Sequence, residues 1–572
     1  MQTRIIKKIV DSLKSVSKEH LSSDDLRLSP VADYCSTIAF KRAKKTHKSP
    51  ADEAEKIAAK LSEYAIPGVK RVEALNGYVN FFLDIAGLTS QSLNEINKLG
   101  ADYGKGENKD EKIVLEHSSI NPSGPVHVGR LRNTLIGDSI ARILRFSGYD
   151  VETHYYVNDV GKQVALIALA QKEGLYPDNK VKKRYESYAN RGDFQVFFVY
   201  VAANRLFESD EGFRNRVQSL IQKAESGEKK SLKLIKSAAS QCLEGQNILF
   251  NRLSIQFDVF DYESALIEDG SVDKALDFLS KSKLYRESDV GFGVDLSGYG
   301  IKRREGPSVL KRKDGTSVYL ARDVAYHLQK IKLGDRLINV LGEDHKLEFR
   351  ELNLILKHIY GLDCMLDVVH FSFVEFEGMQ LSTRGGKTAP VDYLLDDAIK
   401  KAEDEIKTRG VGSVDDAPLI GVGALKYHIL KTTPTKPIKF SWDDALDFEG
   451  DSCPYIQYAH ARADSIIKKW GGDLSDLTLG SSDSLDDVEH KMIFMLMRYP
   501  SVVEEAALNL KPHLIANYVY ELASIFSSFY RKCPVLESKE ELMHRRLLLV
   551  GAVRSVLASG LSLLGVEAPQ RM

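Results

Sequence analysis

The stretch IVLEHSSINPSGPVHVGRLRNT, residues 113–134, decides how the middle of the chain folds. A short β-branched run, IVLEH, leads into a loop that packs two prolines, two glycines and a histidine into residues 121–130. From there Leu131, Leu135, Ile136, Ile140, Ile143 and Leu144 recur at helical spacing until Gly148 ends the pattern. The next run, VETHYYVND, alternates Val151, Thr153, Tyr155 and Val157 on one face, as a strand does. Strand, glycine-bearing loop, helix and strand make a βαβ unit of a parallel sheet.

A loop that delivers the chain to a helix N-terminus builds an anion site, because the first backbone N–H groups are unpaired and carry partial positive charge. His127 can donate to a phosphate oxygen, Gly129 lets a phosphate or flat ring come against the backbone, and Arg130 adds a cation. These parts suit ATP and the charge that develops when its α-phosphate is attacked. Alone, they fit an ordinary strand-to-helix loop with a surface histidine better than a phosphate site.

The chain has 572 residues, enough for several domains, and its 79 basic and 80 acidic residues leave a net charge of -1. No global cationic field draws it to nucleic acid, so any RNA contact must come from local patches and no DNA contact is expected. The five cysteines form no CxxC pair, which points to reduced thiols in a cytoplasmic protein without bound zinc. No run approaches the ~18 apolar residues of a membrane span. The N-terminal Ile5, Ile6, Ile9, Leu13 and Val16 read as an amphipathic helix, and GYVNFFLD as a strand of a small α+β domain over 1–108, closed by the polar linker-like run GKGENKDEK. A Rossmann-type α/β domain is expected over 109–418, with a charged helical insertion at about 165–300, followed by an all-helical domain over 419–572.

The quoted loop resembles the HIGH signature of class I aminoacyl-tRNA synthetases, and its flanks resemble those of the arginyl-tRNA synthetase family, archaeal-type sequences in particular. The likeness recurs in order. YYVNDVGKQ follows the first helix, DGTSVYLARD resembles the arginine-binding segment, GEDHK a GxDH turn, and LSTRGGK a KMSKS-type loop. PYIQYAHAR resembles the opening of the anticodon-binding helices, GVEAPQRM the family's tail, and NGYVNFFL its N-terminal domain. The resemblance implies a class I Rossmann catalytic domain between a tRNA-binding N-terminal domain and an anticodon-binding bundle. It also implies ATP-dependent charging of tRNA(Arg) with L-arginine, with magnesium on the phosphates and no side-chain nucleophile. A monomer is expected.

Recognition of arginine needs carboxylates facing a planar cation. Tyr319 and Asp323 lie four apart and share a face if their segment turns helical, with Asp323 pairing the guanidinium and Tyr319 packing against it. The resemblance assigns both to arginine, together with Glu116 and Glu343, and puts Ser119 and Asn121 at the amino and carboxylate end. Gln380, Leu381, Ser382, Thr383, Arg384 and Lys387 would close over the outer phosphates of ATP. Here the chain departs from the family: the second signature histidine is Arg130, and Gln380, Leu381 and Thr383 replace the usual loop lysine, methionine and lysine. The lysine that often compensates two residues before the signature histidine is Pro125. The catalytic cations would then be Arg130, Arg384 and Lys387. Tyr455, Tyr458 and Arg462 occupy one helical face, either an RNA-stacking surface or a core stripe.

Overall fold

The computed structural model describes residues 2–22, 25–303, 306–363, 365–376, 389–410, 412–477, 479 and 485–572. Five parallel strands carry the middle of the chain, in the spatial order Met365–Phe371, Arg336–Gly342, Lys109–Glu116, Tyr149–Val157 and Val259–Tyr262. Ile113, Val114 and Leu115 are fully buried, as expected of a parallel strand covered on both faces. The chain runs outward from that strand in one direction and begins again on its other side at Arg336. The order therefore reverses between Lys109–Glu116 and Arg336–Gly342, and a crevice opens at their carboxyl ends, where such sheets hold ligands.

The polar run read as a linker is partly strand. Lys109 pairs with Tyr149 in the ladder and lies 4.1 Å over its ring, while Lys112 bonds Glu152 at 3.0 Å. The first helix after the signature, Val128–Phe146, is buried nearly all round rather than amphipathic. Its polar residues find partners across the molecule: Arg132 donates to the carbonyls of Ser372, Thr433 and Lys436, Asn133 to that of Val340, and Ser139 to that of Leu563.

Helices Lys162–Lys172, Gly192–Ser209, Glu211–Glu225 and Lys229–Arg252 close around a core that includes Val164, Phe194, Phe198, Phe213 and Ile235. The long helices of the stretch expected to reach about 300 end at Arg252, and the shorter helices Glu263–Glu268 and Ser271–Ser280 follow among strands. Val259–Tyr262 is the edge strand of the main sheet, and Tyr285–Ser288, Gly291–Val294 and Ser308–Arg312 form a separate antiparallel sheet. The edge strand escaped the sequence because it is only four residues long and half-buried throughout, too short to show a period.

N-terminal to the main sheet, Leu26–Leu28, Tyr34–Ser36, Val69–Leu75 and Tyr78–Leu83 make a four-stranded antiparallel sheet. Helix Gln2–Ser17 buries Ile5, Ile9 and Leu13 as its spacing predicts. The C-terminal part is a bundle of Cys453–Trp470, Asp487–Asn509, Pro512–Lys532 and Glu540–Leu563. Against expectation, Glu540–Leu563 is long and apolar enough to cross a membrane; here it is mostly buried among the other helices, with Leu547, Leu549 and Val553 in the core. Donor atoms of Asp486, Glu489 and Cys533 lie within 4.8 Å of one another, but Arg546 bridges the two carboxylates at 2.9 and 2.8 Å, so a guanidinium supplies their counter-charge. The four described cysteines are buried and free.

Candidate active site

The strand Lys109–Glu116 delivers the chain to the crevice, and Ser118 and Ser119 then turn it with φ of 68° and 45°, a region side chains rarely occupy. The turn is held by partners: the Ser118 N–H donates to Asn133 Oδ1 at 2.9 Å, and Ser119 Oγ accepts the Tyr156 N–H at 3.1 Å. Further on, Val126–Val128 pairs with Ala389–Val391 through Val128 N–H to Ala389 O and Val391 N–H to Val126 O. The base of that second segment is anchored by Asp392, which is fully buried and meets Arg191 Nη1 at 2.5 Å and Arg252 at 3.3 Å.

His127 caps helix Val128–Phe146. Its Nδ1 accepts the Gly129 N–H at 3.2 Å, so that nitrogen is unprotonated and the proton of the neutral ring sits on Nε2. Burial, helped by nearby Arg130, pushes the pKa of His127 down to about 4. At neutral pH His127 is therefore a neutral donor through Nε2, and the fixed cation of this loop is Arg130. Ser119, Asn121, His127 and Arg130 line one cavity of about 180 Å³, joined by Gln163, Phe197 and Tyr200 from the helical insertion. Asn121 Nδ2 donates to Gln163 Oε1 at 3.3 Å.

Beside this cavity lies an acidic pocket. Glu116 Oε1 accepts from Ser119 Oγ at 3.1 Å, and Oε2 accepts from Lys330 Nζ at 2.7 Å and Asn339 Nδ2 at 2.8 Å. Burial alone would raise the pKa of Glu116, but Lys330 outweighs it and keeps the carboxyl ionised. Tyr319 opens helix Tyr319–Lys330 and is 60% exposed, and Asp323 follows one turn further on. Among the described residues the Asp323 carboxylate has no ion pair and no hydrogen-bond donor. Burial, then Glu116 and Glu263, push its pKa up to about 7. A carboxylate that burial and like charges hold near neutrality lacks a cation.

The structure thus brings together Glu116, Ser119, Asn121, His127 and Arg130, with Tyr319 and Asp323 on one helix face. Glu343, just after the neighbouring strand, pairs with Lys346 at 2.7 Å. Gln380, Leu381, Ser382, Thr383, Arg384 and Lys387 lie outside the described residues. Lys330, Asn339, Glu263, Gln163, Phe197 and Tyr200 were not anticipated. The lone Asn339 inside the apolar run RLINVLG is the one signal that could have found its residue.

Tyr455, Tyr458 and Arg462 line a second cavity of about 550 Å³ with Phe448, Tyr530 and Met572. The Arg462 guanidinium sits 4.4 Å over Tyr458 and 4.3 Å over Tyr530. Arg462 also donates to the Tyr458 hydroxyl at 2.6 Å, so the guanidinium is held against these two rings.

The parallel sheet, the signature helix starting at its crevice and the helical bundle that follows define a class I aminoacyl-tRNA synthetase architecture. Residues 92–442 match the family described as tRNA synthetases class I (R), catalytic domain, and 456–572 match the DALR anticodon binding domain. Residues 3–83 match the arginyl tRNA synthetase N terminal domain. The chain belongs to the arginyl-tRNA synthetase family. It is 38% identical to the arginine–tRNA ligase of Methanocaldococcus jannaschii over 99% of both chains, and 38% identical to that of Methanothermobacter thermautotrophicus over 95% of this chain and 93% of the relative. The Thermus thermophilus arginyl-tRNA synthetase structure superposes with a TM-score of 0.80 at 27% identity, covering 99% of this chain and all of the other.

Proposed function

We propose that this chain is an arginine–tRNA ligase that makes arginyl-adenylate from L-arginine and ATP and then charges tRNA(Arg). The observation that carries the reading to arginine is the unpaired Asp323 carboxylate beside Glu116, with exposed Tyr319 one turn away. A guanidinium entering there supplies the missing counter-charge, whereas a neutral amino acid leaves a half-buried carboxylate unpaired and lysine offers a point charge without the planar fork.

In the first step the arginine carboxylate attacks the α-phosphorus of ATP, a new P–O bond forms and pyrophosphate leaves. His127 Nε2–H and Arg130 face the phosphates from the helix N-terminus, while Ser119 and Asn121 hold the amino and carboxylate end. In the second step a hydroxyl of the terminal ribose of tRNA attacks the arginyl carbonyl and AMP leaves. Positioning and charge do the work, with no side chain as nucleophile. The residues lining the cavity include no carboxylate, so magnesium, which neutralises phosphate charge, would arrive held by the nucleotide itself. By resemblance to the family, Gln380 to Lys387 contact the outer phosphates, with Ser382, Arg384 and Lys387 as donors and cations, and Glu343 contributes to the amino-acid site.

For the tRNA, the cavity walled by Tyr455, Tyr458 and Arg462 takes a base of the anticodon loop, since unpaired bases stack on aromatic faces. The domain limits at about 108 and 418, a monomeric state, a cytoplasmic setting and the absence of DNA or membrane partners complete the reading. The test is charging of total tRNA with each labelled amino acid in turn. Arginine alone should be esterified; charging with a different amino acid, or with none, defeats the reading.

A further inference from the structure

The insertion reaches the acidic pocket through Glu225, the last residue of helix Glu211–Glu225. Glu225 Oε2 accepts the Ser317 N–H at 2.9 Å, and Oε1 meets Arg322 Nη2 at 2.8 Å. Arg322 is itself buried, and its other nitrogens are fully engaged: Nε donates to Ser317 Oγ at 2.9 Å and Nη1 pairs with Glu263. Ser317 and Arg322 straddle the start of helix Tyr319–Lys330, which has no side-chain cap of its own. The first turn of that helix is therefore held from outside, by two carboxylates gripping one guanidinium. Tyr319 lies within that turn, and Asp323 directly follows Arg322.

We propose that Glu225 is a positioning residue for the guanidinium pocket: through Ser317 and Arg322 it fixes the helical turn that aims Tyr319 and Asp323, so the insertion sets the enzyme's affinity for arginine. The inference rests on the arginine–tRNA ligase reading. Its physical basis is the difference between a carboxylate and an amide at this position. Glutamine can still accept the Ser317 N–H with its oxygen, but its remaining group is a donor and cannot meet Arg322, so the turn loses one of its two anchors. The ATP end of the site, built by the loop before Val128–Phe146, does not depend on this contact.

The experiment is tRNA charging by the full chain with Glu225→Gln, Arg322→Lys and the double variant, reading KM for arginine and for ATP separately, with melting temperatures alongside. The expected result is a rise of about tenfold in the arginine KM for each single variant with the ATP KM unchanged, a charged hydrogen bond of this kind being worth that much. In the double variant the two effects should not add, because Glu225 acts through Arg322. Whichever variant stays folded at the assay temperature gives the reading, since either alone must raise the arginine KM selectively. An unchanged arginine KM, parallel rises in both KM values, or additive effects in the double variant would overturn the inference. Failure of the wild-type chain to charge arginine at all would instead sink the functional reading beneath it.

Discussion

Asp323→Asn is expected to stabilise the ligand-free protein at pH 8. Burial beside Glu116 and Glu263 lifts the Asp323 pKa from 3.8 to about 7, which corresponds to at most about 4 kcal/mol of disfavoured ionisation. The sign follows from linkage. Between pH ~4 and 7 the folded state still holds a proton that the unfolded state has released, so stability falls as pH rises through that window and the full penalty is present above it. Asparagine has the shape of the protonated acid and carries no charge, so it removes the penalty. The gain should be largest at pH 8 and less than half as large at pH 5. Thermal melting of wild type and variant at the two pH values measures this. A variant that melts lower than wild type at pH 8, or one shifted equally at both pH values, would refute the argument that an uncompensated carboxylate occupies this pocket.

The same titration predicts that the arginine KM climbs below pH 7, reaching about ten times its alkaline plateau near pH 6, as the fraction of ionised Asp323 falls; initial rates at saturating ATP and tRNA check it. Tyr458→Ala should raise the KM for tRNA about tenfold through lost stacking while leaving the arginine and ATP KM values in place, as charging kinetics with varied tRNA will show. Asp392→Asn removes one of the two carboxylates that hold buried Arg191, leaving its pair with Asp193, and should destabilise the fold by about 1.5–3 kcal/mol, seen as a drop in melting temperature, and slow charging by loosening the segment paired with Val126–Val128.

Much of the catalytic core was legible where one local signal governs structure. The signature region folds as read because an apolar strand, a Pro/Gly loop and a 3.6-residue stripe each act within a few residues. Tyr319 and Asp323 share a helix face for the same local reason. Lys330 and Asn339 were invisible because they meet Glu116 only after a parallel sheet brings residues more than 200 positions apart side by side. A lysine in an otherwise amphipathic helix reads as solvated, yet Lys330 is fully buried because Glu116 and Asn339 satisfy it. Glu343 came only from the resemblance of GEDHK to a GxDH turn, and Lys346 pairs with its carboxylate at 2.7 Å. Glu540–Leu563 was expected inside an all-helical domain and lies there, although its apolar pattern taken alone does not tell a bundle core from a lipid bilayer, since both ask for the same side chains.

The central claim is that this chain esterifies arginine to tRNA through a guanidinium pocket built on Asp323. The most direct measurement is charging of total tRNA with labelled arginine, ATP and magnesium by the wild-type chain and by Asp323→Asn. Arginyl-tRNA formed by the wild type and lost in the folded variant is the predicted result. Equal charging by both would contradict the pocket, and no charging of any tRNA by the wild type would contradict the activity.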